Sequence, residues 1–221
     1  MWQSIINLMT AGIEFFGDSV GSYGLGIILL TICFRMLLLP LTYSQNRTTR
    51  KMQELNPELE EIQDKYEGNQ EKVNEETMKL WKENNVNPAA GCLPMLLQMP
   101  IIIAMFRALR QFDFGAEAAF LWLPNLAAPD PIYLLPVLAA IATFTQTQVT
   151  MTGAAGDQQG GTQNLMKYGM PLFVGYISTQ FPAGLALYWT VTNIFGVGQQ
   201  FIVNAMLEAE ESSNSPEGET G

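Results

Sequence analysis

The sequence predicts an all-α polytopic membrane protein, and three observations carry that reading. The chain has 221 residues, of which 48% are hydrophobic and only 14% charged, against roughly 25% charged in an average soluble domain. Its uncharged stretches are long: 23 residues from Asn84 to Phe106, 26 from Pro131 to Gly156 and 40 from Tyr168 to Leu207. About 20 apolar residues are enough to cross a hydrocarbon core as a helix. The basic residues gather between these stretches in a few segments, as they do in cytoplasmic loops. The expected architecture is five transmembrane helices with a cytoplasmic helical hairpin and an N-terminal interfacial helix.

Residues 1–20 place Trp2, Ile5, Ile6, Met9, Ile13 and Phe16 at helical spacing, with Gln3, Asn7 and Glu14 off that face. This is the pattern of an amphipathic helix lying in the extracytoplasmic membrane interface. The stretch holds neither a basic n-region nor an A-x-A site, so it is not an intact signal peptide, and a leader removed upstream of this numbering is expected. Residues 21–43 form the first span, GLGIILLTICF then MLLLPLTY, with a single charge, Arg35, between the two runs.

Residues 44–88 form the hairpin. Met52, Leu55, Leu59, Ile62 and Tyr66 recur at alternating steps of three and four, an apolar seam of coiled-coil type. Asn56-Pro57 marks a helix start, Gly68-Asn69 the turn, and Val73, Thr77, Leu80 and Trp81 the return helix up to Asn84-Asn85. A loop of this length without structure would be unusual. Met52, Leu55, Leu59, Ile62 and Trp81 are the candidate residues of a docking arm for ribosomes, targeting factors or incoming chains.

Residues 89–110 are the second span, 111–131 an outer loop, 132–152 the third span and 153–166 a cytoplasmic loop. Phe181-Pro182-Ala183-Gly184 divides the longest uncharged stretch. It leaves a short fourth span at 167–182 and a fifth at 183–207. Residues 208–221, rich in Glu with Ser, Pro and Gly, are expected to be a disordered acidic tail. Prolines at 40, 94, 100, 136 and 171 are expected to kink four of the spans. Arg47, Arg50, Lys51, Lys65, Lys72, Lys79, Lys82 and Lys167 fall on one side and only Arg107 and Arg110 on the other. The N-terminus is therefore expected outside the cell membrane, with the hairpin and C-terminus in the cytoplasm.

Composition excludes several chemistries. The chain has no histidine, which removes Ser-His-Asp and Cys-His catalysis, HExxH sites and imidazole zinc sites. Cys33 and Cys92 are too few for a four-thiolate site and read as reduced packing residues. A net charge of −10 argues against nucleic acid as a partner. No GxxxxGK[ST] run is present. No Asp falls within a predicted span, and Lys167 stands only at the cytoplasmic edge of the fourth, so neither an aspartyl nor a serine–lysine intramembrane protease fits. No enzyme activity, metal or cofactor is expected.

Arg35 is the informative residue. A span arginine costs about 2.5 to 3.5 kcal/mol on insertion scales, and such residues usually face the bundle interior or a wet cavity. No carboxylate lies in any predicted span, so the guanidinium must find water, backbone carbonyls or a visiting anion. Snorkelling to the cytoplasm is the plainer alternative, across roughly 12 Å of helix. Other spans supply polar stripes: Thr143, Gln146, Thr147 and Thr150 in the third, Trp189, Thr192, Asn193, Gln199 and Gln200 in the fifth. Gln98 in the second and Ser178, Thr179 and Gln180 in the fourth add to them. Any one of these also fits an ordinary interhelical hydrogen bond. Together with an unpaired arginine they predict a hydrophilic cavity.

GLGIILLTICFRMLLLPLTYSQ, NPAAGCLPMLLQMPIIIAMFRAL, WLPNLAAPDPIYLLPVLAAI and MKYGMPLFVGYISTQFPAGLALYWTVTNIFGVGQQ together resemble the YidC membrane protein insertases over roughly residues 1–207. The PAGLALYW run and the APDP-to-LLP run are the most specific. The resemblance implies five transmembrane helices around a hydrophilic groove, open to the cytoplasm and lipid and closed outside. It makes Arg35 the groove arginine, with Gln146 or Gln148, Trp189 and the weaker candidate Gln98 as lining residues. Thr143, Thr192 and Asn193 join them from the stripes, and the threonine face favours Gln146 over Gln148. The implied partners are nascent membrane proteins as substrates and the lipid bilayer, with a Sec-type translocon and the ribosome as further candidates. The protein is expected to act as a monomer. Bacterial five-span members usually begin with a lipoprotein signal, and other relatives carry a basic tail that contacts ribosomes. The acidic tail here argues against that tether. A transporter or channel for a small anionic solute, using the same arginine, is the competing class.

Overall fold

The computed structural model describes residues 2–87, 89–115, 118–152 and 165–214. Its elements are α1 (Trp2–Val20), α2 (Tyr23–Leu37), α3 (Leu39–Glu54), α4 (Asn56–Lys65), α5 (Gln70–Glu83), α6 (Ala89–Gln111) and α7 (Leu134–Thr152). A π-helical turn (Leu165–Gly169) then leads into α8 (Met170–Ser178), and α9 (Ala183–Asn214) is the last described element. Among the described residues the only β pairing is one bridge between Phe120 and Leu123 in the outer loop.

Glycines set the entry. Gly21, at φ +68°, reverses the chain after α1, and α1 and α2 fold back on each other with a bend of 120°. Gly26 of α2 packs against the backbone of Gly17 in α1, where an added Cβ would lie 2.7 Å from the Gly17 nitrogen. The two helices can approach this closely only where side chains are absent. The apolar face of α1 is consequently covered by protein: Ile6, Met9 and Ile13 are buried against α2 and α6. The sequence reading assigned that face to the membrane interface, and the structure corrects it. Ile5, Leu8 and Phe15, on the neighbouring flank, are exposed, as is Val20 at the end of α1.

α9 is the central helix. It packs on α2 and α7, with lesser contacts to α3, α6 and α8, while α7 pairs with α8 and α6 with α1 and α3. The apolar core lies at one end of this bundle, where Ile13 and Ile27 meet Met105 and Leu109, Leu126 of the outer loop and Leu185 of α9. The outer loop is stitched into the core by Ala183 N–H to Ala128 O at 2.7 Å and Gly184 N–H to Leu126 O at 2.9 Å. Buried Asp130 accepts from the backbone N–H of Leu135 and Ile132 and from the Trp122 indole, fixing the start of α7. The opposite end, toward the hairpin, is polar and less tightly filled.

The bundle carries its exposed apolar side chains on outward faces, including Leu29 of α2, Leu96 of α6, Ile141 of α7, Leu172 and Phe173 of α8, and Ile194 of α9. Among the described residues no single helix is long and apolar enough by itself to cross a membrane; α1 and α2 pass that test only together. In α9 the cause is visible, because Trp189, Thr192, Asn193, Gln199 and Gln200 interrupt its apolar run.

Three further expectations need correction. Pro136 sits in the first turn of α7, where a missing N–H costs no helical bond, so it starts that helix and does not kink it; Pro40 and Pro171 instead follow directly on the break at Leu38 and on the π-helical turn, inside the expected first and fourth spans. The break expected at Leu207 is absent, since α9 runs to Asn214. Its last turns are held to α3 by Arg47–Glu210 at 3.5 Å, Arg50–Glu208 at 3.3 Å and a 2.6 Å bond from Tyr43 to Glu210. The disorder expected of residues 215–221 lies outside the described residues. Finally, Cys33 is exposed and not a packing residue; the side chain of Cys92 lies outside the described residues.

In the hairpin, α3 continues without interruption through the boundary expected at residue 43. Gly68, at φ +82°, makes the turn, and Asn69 caps α5 by accepting from the Lys72 N–H at 3.1 Å. Leu55, Leu80 and Val86 form a small core with Met52, Leu59, Ile62 and Trp81 packed on it. The five candidate docking residues are thus the seam that holds the hairpin's own helices together.

Candidate functional site

Thr31, Arg35, Leu38, Thr42 and Gln45 alternate at steps of four and three, so α2 and the start of α3 turn one face inward. That face meets Leu97, Gln98 and Ile101 of α6 and Tyr188 and Thr192 of α9 around a cavity of about 60 Å³. A water needs at least 10–15 Å³ on this measure, so a few fit. The cavity lies on the hairpin side of the apolar core, so the bundle is apolar at one end and polar at the other.

Arg35 reaches across from α2 and donates from Nη2 to the backbone oxygen of Thr192 at 2.8 Å. Among the described residues no carboxylate forms an ion pair with it. Gln199 ties the same helices by donating to the Arg35 carbonyl at 3.0 Å. On the opposite wall Gln98 donates to the Tyr188 hydroxyl at 2.8 Å. Gln45 Nε2, Gln146 Oε1 and Gln199 Oε1 are buried without a hydrogen-bond partner. Unpartnered buried amides around a guanidinium make a site that gains from water or from an incoming polar segment.

The predicted residues divide into three groups. Arg35, Gln98 and Thr192 line the cavity. Gln146 of α7 and Arg35 of α2 both approach Gly196 of α9, where a Cβ would be 2.7 Å from Gln146 Oε1 and 3.4 Å from Arg35 Nη2. Thr143 and Trp189 instead bond to each other, indole N–H to hydroxyl at 2.9 Å, and Asn193 donates back to the Trp189 carbonyl at 2.8 Å. That trio is helix-to-helix and intrahelical bonding. Gln148 is half-buried on α7 and is not among the residues lining this cavity. Thr31, Thr42, Gln45 and Tyr188 were missed. The four-three spacing around Arg35 carried the signal for the first three, and Tyr188 sits one turn before Thr192.

Outward apolar faces, an apolar core at one end and a polar cavity holding Arg35 toward the other describe a helical bundle with a cation close to apolar surfaces. The chain belongs to the 60Kd inner membrane protein family, whose profile matches residues 15–211. It is 41% identical over 202 residues to the membrane protein insertase YidC of Clostridium perfringens (strain 13 / Type A), covering 90% of this chain and 84% of that one. It is 40% identical over 200 residues to the membrane protein insertase MisCA of Bacillus subtilis (strain 168), covering 89% and 74%. Among solved structures it resembles an active YidC insertase with the first transmembrane domain resolved, at TM-score 0.70 and 25% identity over 90% of this chain. It spans 46% of that longer chain.

Proposed function

We propose that this protein inserts single-span or few-span proteins from the cytoplasm into the cell membrane, through the cavity around Arg35 and without bond-making chemistry. The observation that carries the reading is the anchoring of Arg35 by a backbone carbonyl and not by a carboxylate, which leaves its full charge available to a client. The relatives named as insertases support it, and nothing among them favours the anionic-solute transporter.

In this reading α2 with the start of α3, α6, α7, α8 with its π-helical lead, and α9 are the five spans. The N-terminus lies outside, the hairpin and C-terminus in the cytoplasm, and the lining is Arg35, Gln98, Thr192 and Tyr188 with Gln146 behind Arg35. A short acidic outer segment of a client is drawn toward Arg35. Two unit charges 4 Å apart attract by about 1 kcal/mol in water and about 4 kcal/mol at an effective dielectric of 20. Water and amide groups in the cavity lower the cost of carrying polar backbone partway across. The apolar segment then partitions into lipid, driven by roughly 25 cal/mol for each Å² of apolar area removed from water. The protein works as a monomer, alone or beside a Sec-type translocon, with ribosomes delivering clients; no nucleotide, metal or cofactor takes part.

The test is protease protection of a single-span client with an acidic outer tail, added to liposomes with and without the purified protein. Protection above empty vesicles is the expected result. Equal protection in both, with the protein folded and correctly oriented, would refute the proposal.

A further inference from the structure

Gln45 lines the cavity around Arg35 from α3, on the side where the chain leads into the hairpin. It is only 9% exposed, and its Nε2 is buried without a hydrogen-bond partner. Most polar groups beside it in the lining are already committed. The Thr31 and Thr42 hydroxyls donate to the Ile27 and Leu38 carbonyls at 2.6 and 3.1 Å, and Gln98 gives its Nε2 to the Tyr188 hydroxyl at 2.8 Å. Thr192 Oγ1 also has no partner, but a hydroxyl turns to donate or accept, whereas an amide nitrogen only donates. Among the described residues no carboxylate lines the cavity. Buried donors are ordinarily paired, so the acceptor that completes Gln45 comes from outside the fold.

We propose that Gln45 is a client-binding residue, within the insertase reading above, whose Nε2 donates to a main-chain carbonyl of the entering segment. An unfolded segment carries one carbonyl for every residue, whatever its sequence, at intervals of about 3.3–3.6 Å when extended. A neutral donor therefore reads the main chain and not the charge. Arg35 stands about 15 Å away along α2 and α3, at 1.5 Å per residue, and favours clients that carry carboxylates. The two residues divide the work: Gln45 receives any segment, and Arg35 selects among them. In the resting protein water occupies the place of the client carbonyl. Entry exchanges that water for the carbonyl, so the segment gives up its own hydration without leaving the group unpaired.

The test uses the full chain in liposomes and three clients: one with an acidic outer tail, the same client with the tail carboxylates changed to amides, and the acidic client with ester links in place of the tail's main-chain amides. Ester carbonyls are weaker acceptors. Gln45→Met keeps the length of the side chain and removes the donor. It is expected to slow the first two clients by the same factor, about fivefold, the scale of one neutral hydrogen bond, and to change the ester client little. Ser44→Ala, at the exposed neighbouring position, behaves as wild type. Because Nε2 has no protein partner to lose, Gln45→Met unfolds in detergent micelles no more easily than wild type. The proposal is overturned if Gln45→Met inserts the first two clients like wild type, slows only the acidic one, slows the ester client equally, or loses insertion in step with stability. Wild type that inserts no client above empty vesicles would overturn the insertase reading, and the proposal with it.

Discussion

The bond between Trp189 and Thr143 is the sharpest test of whether polar span residues pack helices or receive clients. Thr143 is buried and its hydroxyl accepts from the Trp189 indole at 2.9 Å while donating to the Ala139 carbonyl at 2.7 Å. Thr143→Val keeps the shape and removes the acceptor, leaving the indole N–H without its partner. A buried donor left unpaired costs about 1–3 kcal/mol, but interhelical hydrogen bonds in membranes average only about 0.6 kcal/mol and reach about 1.7. Trp189 is half-buried, so water reaches part of the indole, and we expect about 1 kcal/mol of destabilisation within that range. The assay is reversible unfolding in mixed detergent micelles, run as a double-mutant cycle with Trp189→Phe. A coupling energy near the single-mutant loss is expected, with insertion falling only as the folded fraction falls. Zero coupling, or loss of acidic-client insertion at unchanged stability, would refute the assignment of this pair to packing.

Two other perturbations follow from the packing. Gly26→Ala pushes a Cβ to within 2.7–3.0 Å of the Gly17 and Ile13 backbone, which cannot yield as a side chain does. A loss of about 1–3 kcal/mol typical of overpacking is expected in the same unfolding assay. At the hairpin root, Arg50→Glu or Glu208→Arg breaks a pair whose side chains are 22% and 70% exposed. Each single reversal should cost at most about 1 kcal/mol and lose its effect in high salt, and the double reversal should restore stability.

The sequence carried the helices better than their surroundings. Uncharged runs and turn residues located α6, α7 and the α8–α9 hairpin, and Gly68-Asn69 located the turn between α4 and α5. Periodicity alone does not say what covers an apolar face, which is why Ile6, Met9 and Ile13 were assigned to the membrane interface and prove to be core. The same gap left the hairpin seam looking free when α5 covers it. Composition suggested a disordered tail, yet Glu208 and Glu210 meet Arg50 and Arg47, residues more than 150 positions earlier that no local window connects. At the site, Arg35 was legible from its cost in a span. The separation of Gln98 and Thr192, which line the cavity, from Thr143 and Trp189, which bond each other, depends on helix rotation and was not.

The measurement that bears most directly on the central claim compares wild type, Arg35→Ala and Arg35→Lys in liposomes, with clients whose outer tails carry carboxylates or the matching amides. The account predicts efficient insertion of the acidic client by wild type, a loss of about tenfold or more with alanine, and substantial recovery with lysine, which restores the charge but not the planar fork. The amide client should be much less sensitive to the residue at position 35. Insertion of the acidic client by the alanine variant at the wild-type rate would contradict the account, and would leave Arg35 as a residue that hydrates or packs the cavity without receiving the client.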